Sequence, residues 1–211
     1  MKKIVIFDMD GTLIDSKKDI TISVNYVRQK NHNLPPLSEA FIVEAINMHV
    51  RNLPKLFYGT ELYEERDREL FEKHYKEQCI ENPYLYEGIL EMLEALKEAD
   101  VKLSVATNAP TKFATTMLEH LGILDIFDMV VGADRVSVSK PSPEMIEKIL
   151  EFYQFDRDSD KAWMVGDNSK DIQSAKSAGI EAIFAVWGFS ADGEHNVIAK
   201  TPGEVLKLVL Q

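Results

Sequence analysis

The strongest constraint on the fold is the alternation of short apolar runs with amphipathic helical patterns from about residue 84 onward. Strands that alternate with helices indicate a parallel sheet with helices on both faces. The segment from Lys3 to Phe7, apolar without a break from Ile4 onward, belongs to that sheet as a fully buried strand. The sequence therefore predicts an α/β fold. The other predicted strands are 101–106, 129–131, 162–165 and 180–186, and the predicted helices are 88–99, 111–121, 142–153, 169–178 and one that begins near 202.

The stretch between the first strand and residue 83 has a different pattern, because its periodicity is helical throughout. Pro35-Pro36 and Pro54 interrupt it, and residues 58–60 are predicted to form a turn. We therefore expect an all-helical cap, residues 15–82, inserted into a Rossmann-like parallel sheet core formed by residues 1–14 and 83–211. The predicted cap helices are 20–29, 38–48 and 62–80.

Composition and charge exclude several classes of protein. The 211 residues include 24 basic and 35 acidic side chains, a net charge of −11, which argues against nucleic acid as a partner. The apolar stretches fall far short of the ~18 residues of a membrane span, and the N-terminus lacks a signal-peptide core. The single cysteine, Cys79, excludes an internal disulfide and a cysteine-rich metal site. We expect a cytoplasmic protein without a membrane or nucleic-acid partner.

Oxygen-bearing side chains follow three of the predicted strands. Asp8 and Asp10 follow the first strand, Thr107-Asn108 follows the second, and Gly166-Asp167 with Asp171 follows a third. The loop after a fourth strand leads to Lys140. Because ligands of parallel sheets bind beyond the carboxyl ends of the strands, these groups are predicted to share one site.

The chemistry of that site follows from its residue types. Two carboxylates ~4 Å apart repel by about 4 kcal/mol at an effective dielectric of 20, so several of them require a cation. Oxygen ligands without histidine or cysteine favour Mg²⁺. An aspartate can attack phosphorus, and a second carboxylate two residues on can protonate the leaving oxygen. A threonine hydroxyl and backbone amides can hold the phosphoryl oxygens.

Four motifs in chain order carry a resemblance to a known family. They are Asp8–Thr12, Thr107-Asn108, Lys140-Pro141, and Gly166-Asp167 with Asp171. Each is weak alone, but their order and their positions after predicted strands make the combination specific. The sequence resembles the haloacid dehalogenase superfamily, and within it the phosphoglycolate phosphatase-like hydrolases with a helical C1-type cap.

The resemblance implies a role for each acidic residue. Asp8 would be the nucleophile and a Mg²⁺ ligand, and Asp10 would be the general acid and base, binding Mg²⁺ through its backbone carbonyl. Asp167 would be a further Mg²⁺ ligand. Asp171 would lie in the second shell of the cation, orienting Lys140 or a metal-bound water.

The same resemblance assigns the binding of the phosphoryl group. Thr107, Asn108 and Lys140 would bind its oxygens, and Lys140 would also screen the charge of Asp8. Gly11 and Thr12 would shape a mobile flap beside the nucleophile.

Substrate specificity is expected to come from the cap. The stretch between Asp10 and Thr107 is the only gap between motifs that is long enough for a whole domain. Within it, this chain carries Asn47-Met48-His49 where the resembling family carries a glycine-containing turn, which weakens the transfer of phosphoglycolate specificity. His49, Arg51 and Lys55 are hypothetical contacts for a carboxylate or second phosphate on the substrate, and a solvent-facing position is the alternative.

Two further side chains stand out but are not expected to touch substrate. Cys79 is predicted to be buried within the cap. Trp187, which precedes Gly188-Phe189, is predicted to be a core residue or a loop anchor.

The resulting hypothesis is a Mg²⁺-dependent phosphatase, a phosphoric monoester hydrolase that acts through an aspartyl-phosphate. Its expected partner is a small-molecule phosphate ester, with 2-phosphoglycolate as one candidate, and the expected oligomeric state is a monomer or homodimer. Within the same fold, the alternatives are a phosphosugar mutase resembling β-phosphoglucomutase and a pyrophosphatase or nucleotidase. From a different class, a phospho-accepting, receiver-like binding module without turnover remains open.

Overall fold

The computed structural model describes residues 1–48, 52–190 and 197–211, and the chain forms two compact units. One unit contains Met1–Asp15 and Leu85–Gln211, and the other contains Ser16–Tyr84. The helices and strands in chain order are β1 (Lys3–Phe7), β2 (Ile14–Asp15), α1 (Lys17–His32), α2 (Glu39–Asn47), α3 (Leu53–Tyr58), α4 (Glu65–Gln78), β3 (Tyr84–Leu85), α5 (Ile89–Glu98), β4 (Lys102–Ala106), α6 (Thr111–His120), β5 (Met129–Val131), α7 (Glu144–Phe152), β6 (Lys161–Gly166), α8 (Ser169–Ala178), β7 (Glu181–Ala185), β8 (Ile198–Ala199) and α9 (Pro202–Leu210).

The first unit is built on a six-stranded sheet in the order β5-β4-β1-β6-β7-β8, with every neighbouring pair parallel. The central strand β1 is hydrogen-bonded to β4 and β6, and its residue Phe7 is in register with both Val105 and Val165. The residues that follow these three strands therefore emerge at the same level of one sheet edge. This confirms the predicted α/β fold and its parallel sheet.

Both faces of the sheet are covered. Successive side chains of β1 point to opposite faces, and all of them from Ile4 to Phe7 are fully buried. Ile4 and Ile6 belong to a core cluster with α7 and α8. Helix α7 contributes four buried side chains to this cluster, each worth roughly 1.5–3 kcal/mol by its burial: Met145, Ile146, Ile149 and Leu150. On the other face, the ring of Phe7 meets that of Phe127 edge to face at 6.4 Å.

The second unit consists of helices α1 to α4 around its own apolar cluster. The buried guanidinium of Arg28 links the loop after α1 to helix α3, because Nε and Nη2 donate to the Pro35 carbonyl at 3.0 and 2.8 Å and Nη1 donates to the Phe57 carbonyl. Cys79 is fully buried, as predicted. The buried members of the cluster are Val24, Val27, Ile42, Ala45, Phe57 and Tyr58.

The structure contains short elements that the sequence pattern did not reveal. Helix α3 spans only six residues, with Pro54 in its first turn and Gly59 as its left-handed C-cap at φ 74°. Proline was expected only to interrupt helices in this stretch, but it fits the first turn, where the backbone N–H needs no partner. The strands β2, β3 and β8 have two residues each, too few to show an alternating pattern. Within the described ranges, no helix combines the length and the apolar character required to cross a bilayer.

Candidate active site

Three buried carboxylates meet at the edge of the sheet where β1 and β6 end. Asp8 follows β1 directly, Asp167 follows β6 directly, and Asp171 lies in the first turn of α8. One oxygen from each carboxylate lies within 4.8 Å of the others. The structure thus brings together three of the acids that the strand ends predicted.

Lys140 extends into this cluster from the loop that precedes α7. Its Nζ donates to Oδ1 of Asp8 at 2.7 Å, to Oδ1 of Asp171 at 2.7 Å and to the carbonyl of Ala106 at 2.6 Å. All three ammonium protons are therefore engaged, and the side chain is almost completely buried. Lys140 bridges two strand ends in this structure, and its charge offsets part of the repulsion between the acids.

Burial and charge shift the pKa values of these groups. For Lys140, burial acts to lower the pKa, but Asp171 and Asp8 outweigh it and raise the pKa above its usual value. Burial, with the negative charges of Asp8 and Asp171, raises the pKa of Asp167 to about 8. Burial also raises the pKa of Asp171 to about 6, although Lys140 acts against it. Two of the three acids therefore resist ionisation when only Lys140 balances their charge.

The start of α8 explains the orientation of Asp171. Asn168 is the N-cap, and its side chain accepts a hydrogen bond from the Lys170 backbone at 3.0 Å. In return, Oδ2 of Asp171 accepts from the backbone N–H of Asn168 at 3.0 Å, which completes a capping box. One carboxylate thus caps the helix through Oδ2 and contacts Lys140 through Oδ1.

Asp167 is held by hydrogen bonds to both of its oxygens. Oδ2 accepts from the backbone N–H of Phe189 at 2.7 Å and of Ser190 at 3.3 Å. Oδ1 accepts from the hydroxyl of Thr12 at 3.2 Å. The backbone of Gly11, at φ +88°, approaches so closely that a Cβ there would lie 2.5 Å from Oδ2 of Asp167.

Thr107 and Asn108 lie at the end of β4, where the sequence placed them. Thr107 is buried, and its hydroxyl accepts from the Ala109 N–H at 3.1 Å. The side-chain amide of Asn108 pairs with the backbone of Lys140, donating to its carbonyl and accepting from its N–H, each at 3.0 Å. The Asn108 side chain therefore holds the segment that carries Lys140.

The remaining predicted site residues are Asp10, Lys55, His49 and Arg51. Within the described ranges, the group of three acids does not include the Asp10 carboxylate, and Asp10 itself forms a bridge with Ile14. Lys55 lies in α3 with its Nζ 2.7 Å from Oε1 of Glu61, and both side chains are mostly exposed. His49 and Arg51 lie outside the described residues.

Sequence reasoning missed the loop after β7. This loop contributes the backbone N–H groups of Phe189 and Ser190 to the site. Nearly every residue has a backbone N–H, so the residue types do not reveal this contribution. Trp187 anchors the same loop, since its indole N–H donates to the Thr12 carbonyl at 2.9 Å. That agrees with its prediction as a loop anchor. The available sequence signal was Gly188, whose Cβ would lie 2.3 Å from both the Asp167 Cβ and the Gly11 carbonyl oxygen.

The residues present fit a hard divalent cation. Among the described residues, three buried carboxylates lie around the Lys140 ammonium and leave a net negative charge. Burial, together with the neighbouring carboxylates, raises the pKa values of Asp167 and Asp171. The ligand atoms are all oxygens, which suits Mg²⁺ better than softer metals. The described part of the cluster therefore offers the donor atoms that a hard divalent cation prefers.

Comparisons with known proteins identify the family of the chain. The haloacid dehalogenase-like hydrolase family matches residues 5–185. A phosphoglycolate phosphatase of Aquifex aeolicus is 34% identical over 187 residues, covering 89% of this chain and 86% of the relative. An N-acetylmuramic acid 6-phosphate phosphatase of Pseudomonas aeruginosa is 32% identical over 190 residues, covering 89% and 83%.

A solved structure of another protein has the same fold as this chain. The crystal structure of a predicted phosphoglycolate phosphatase from Haemophilus somnus 129pt superposes with a TM-score of 0.84 at 26% identity, covering 98% of this chain and 97% of that one. The match spans the ordered motifs as well as the sheet, so the resemblance inferred from those motifs is confirmed. The chain belongs to the haloacid dehalogenase-like hydrolase family.

Proposed function

We propose that this protein is a Mg²⁺-dependent phosphatase that hydrolyses a small phosphate monoester through an aspartyl-phosphate on Asp8. The observation that carries the proposal is the position of Asp8, which lies in a buried acidic cluster and receives a 2.7 Å hydrogen bond from Lys140. The relatives support the reaction class, because those compared above are named as phosphatases.

Asp8, Asp167 and the backbone carbonyl of Asp10 would hold the cation. When bound, Mg²⁺ supplies positive charge that offsets the charge of the carboxylates and of the phosphoryl oxygens. Lys140 contacts Oδ1 of Asp8, so we assign Oδ2 as the attacking oxygen. Lys140 then orients the nucleophile, and the Asp171 carboxylate orients Lys140.

The reaction proceeds in two steps. In the first, Oδ2 of Asp8 forms a bond to phosphorus, the ester P–O bond breaks, and Asp10 donates its proton to the departing alcohol oxygen. In the second, Asp10 takes a proton from water, the water oxygen forms a bond to phosphorus, and the bond between phosphorus and Asp8 breaks. Phosphate leaves and Asp8 returns to its starting state.

Thr107 and Asn108 would bind the phosphoryl group at the end of β4 through hydrogen bonds. Lys140 would attract the phosphoryl group by its charge, because its three ammonium protons are already donated to Asp8, Ala106 and Asp171. The Asn108 side chain is paired with the Lys140 backbone, so its contribution would come through its own backbone N–H. Donors fixed by the fold before substrate arrives do not need to reorganise in the transition state.

The substrate we propose is a phosphate ester that also carries a carboxylate, with 2-phosphoglycolate as the first candidate. The names of the two relatives above contain phosphoglycolate and N-acetylmuramic acid 6-phosphate, and each of these compounds carries both a phosphate ester and a carboxylate. The helical unit would act as the cap, and His49, Arg51 and Lys55 are the side chains proposed to recognise the carboxylate. We place the enzyme in the cytoplasm as a monomer or homodimer, and its net charge of −11 disfavours nucleic acid as a partner.

The test is phosphate release with Mg²⁺ from a panel containing 2-phosphoglycolate, sugar phosphates, nucleotides and pyrophosphate. Asp8→Asn is the blank, and Asp158→Asn, the same change at an exposed position, is the matched control. We expect many turnovers on one panel member, retained by Asp158→Asn and lost by Asp8→Asn in a folded protein.

Three results would overturn the proposal. Phosphate release by Asp8→Asn would remove the nucleophile assignment. Conversion of β-glucose 1-phosphate to its 6-phosphate isomer without release would indicate a mutase. Stoichiometric phosphorylation without turnover would indicate a receiver-like module.

A further inference from the structure

The loop that follows β7, residues 187–190, surrounds Asp167, and we call it the β7 loop. It supplies two backbone donors to Oδ2 of Asp167, Phe189 N–H at 2.7 Å and Ser190 N–H at 3.3 Å. Both donors lie on the same oxygen, so they restrict rotation of the carboxylate. The proposed function gives this loop no role.

The β7 loop is also joined to the turn that follows Asp10. The indole N–H of Trp187 donates to the Thr12 carbonyl at 2.9 Å, and the Thr12 hydroxyl donates to Oδ1 of Asp167 at 3.2 Å. A closed circuit of hydrogen bonds therefore runs from Trp187 through Thr12 and Asp167 back to Phe189. In this circuit, Oδ1 of Asp167 accepts from the Thr12 hydroxyl and Oδ2 accepts from the Phe189 N–H.

Close packing leaves the circuit little freedom. A Cβ on Gly188 would lie 2.3 Å from the Asp167 Cβ and 2.3 Å from the Gly11 carbonyl oxygen. Real Cβ atoms do not approach this closely, so the loop backbone lies against both the acid and the turn only because residue 188 is glycine. The circuit is thus held by contact as well as by hydrogen bonds.

We propose that the β7 loop, anchored by Trp187, positions Asp167 for the cation. Among the described residues, two donors bind Oδ2 and one binds Oδ1, and this arrangement determines the direction from which a metal ion would approach Oδ1. Trp187 is a positioning residue that acts through Thr12. This inference rests on the proposed function, in which Asp167 is a metal ligand.

The test measures binding of Mn²⁺ alone, followed by electron paramagnetic resonance of the free ion without substrate. Trp187→Phe removes the indole donor, and Thr12→Val removes the hydroxyl while keeping the shape of the side chain. The matched control is Trp163→Phe, since the Trp163 indole donates to Oε2 of Glu181 at 3.0 Å, within the sheet. Thermal unfolding verifies that each variant is folded.

We expect Trp187→Phe and Thr12→Val each to weaken Mn²⁺ binding by roughly 10-fold, as outer partners of metal ligands do. The double variant should lose less than the product of the two, because both changes act through Asp167. Trp163→Phe should bind like the wild type. At saturating Mg²⁺, the KM for the phosphate ester should stay unchanged in Trp187→Phe.

Two results would overturn the inference while leaving the phosphatase intact. One is Mn²⁺ affinity in Trp187→Phe equal to that of Trp163→Phe. The other is a raised KM with unchanged Mn²⁺ affinity, which would mean that the loop faces the substrate. A wild-type protein that binds no Mn²⁺ and needs no metal for turnover would overturn the metal-dependent function and this inference together.

Discussion

Lys140 contributes a positive charge to the cluster of three buried acids and forms ion pairs with two of them. Removing one partner of a buried ion pair leaves the other charge uncompensated in a medium of low polarity. Lys140 has two such partners, Asp8 and Asp171, at 2.7 Å each. Its contribution to the nucleophile and to folding therefore cannot be separated.

Replacing Lys140 by methionine tests that coupling. We expect Lys140→Met to lower the free energy of unfolding by about 3–5 kcal/mol, the usual cost of an unpaired buried charge, and to abolish turnover. The control is Lys148→Met, because Lys148 is exposed and donates to the Arg135 carbonyl at 3.1 Å. Urea unfolding measures both variants, and an equal loss in the two would contradict the assignment.

Asp10 carries the second residue-scale prediction. Asp10→Asn cannot exchange a proton, so turnover should fall by about 10²–10⁴, the usual share of general acid–base catalysis. The Mn²⁺ affinity should change little, because the proposed metal contact of Asp10 is its backbone carbonyl. Steady-state kinetics with and without excess metal measures both quantities. A wild-type rate would mean that another group moves the proton.

At the scale of the element, helix α8 connects folding to the site. Its capping box uses the Asp171 carboxylate that also contacts Lys140, so the start of the helix and the orientation of the acid are determined together. The sequence predicted this helix with the bounds that the structure shows, since its apolar spacing and Gly179 cap are strong local signals. It did not predict α3, because a single turn that begins with a proline has no periodicity to detect.

Loss of the N-cap of helix α8 should lower the free energy of unfolding. Asn168→Ala removes the side-chain acceptor for the Lys170 N–H, and we expect a loss of about 0.5–2 kcal/mol of stability together with slower turnover. Ser38→Ala is the control, since Ser38 caps α2 in the helical unit by accepting from Phe41 N–H. Ser38→Ala should lower the free energy of unfolding by a similar amount without slowing turnover. Wild-type turnover in Asn168→Ala would show that the N-cap of α8 does not influence the chemistry of the site.

At the scale of the whole molecule, the acidic cluster makes stability depend on pH and on metal. The pKa of Asp167 is raised to about 8, mainly by burial, so between about pH 4 and pH 8 this carboxyl keeps its proton in the folded protein but is ionised in the unfolded chain. Without metal, the contribution of Asp167 to stability is therefore lost as pH rises through that window. A bound cation removes the penalty, because it replaces the proton.

Thermal unfolding in EDTA and in Mg²⁺ checks this dependence. We expect Mg²⁺ to raise the Tm more at pH 8 than at pH 5.5, and Asp167→Asn in EDTA to lose less stability than the wild type as the pH rises between these values. The comparison with Asp167→Asn isolates this carboxyl from the histidines that titrate in the same range. Identical pH profiles for the two proteins in EDTA would mean that ionisation of Asp167 is not the cause of the pH dependence.

The sequence by itself determined the parallel sheet, the helical insertion pattern and the set of residues at the strand ends. These follow from local periodicity and from the rule that parallel strands present their carboxyl ends at one edge. Asp8, Asp167, Asp171 and Lys140 were therefore identifiable, although their assigned roles remain proposals.

Only the tertiary structure decided which atoms face each other. Asn108 was predicted to bind phosphate, yet its side chain pairs with the Lys140 backbone, and the β7 loop went unnoticed. Such contacts join segments far apart in the chain, and many of them use backbone N–H and carbonyl groups. Because nearly every residue carries those groups, residue identity encodes them only where close packing demands a particular side chain, as at Gly188.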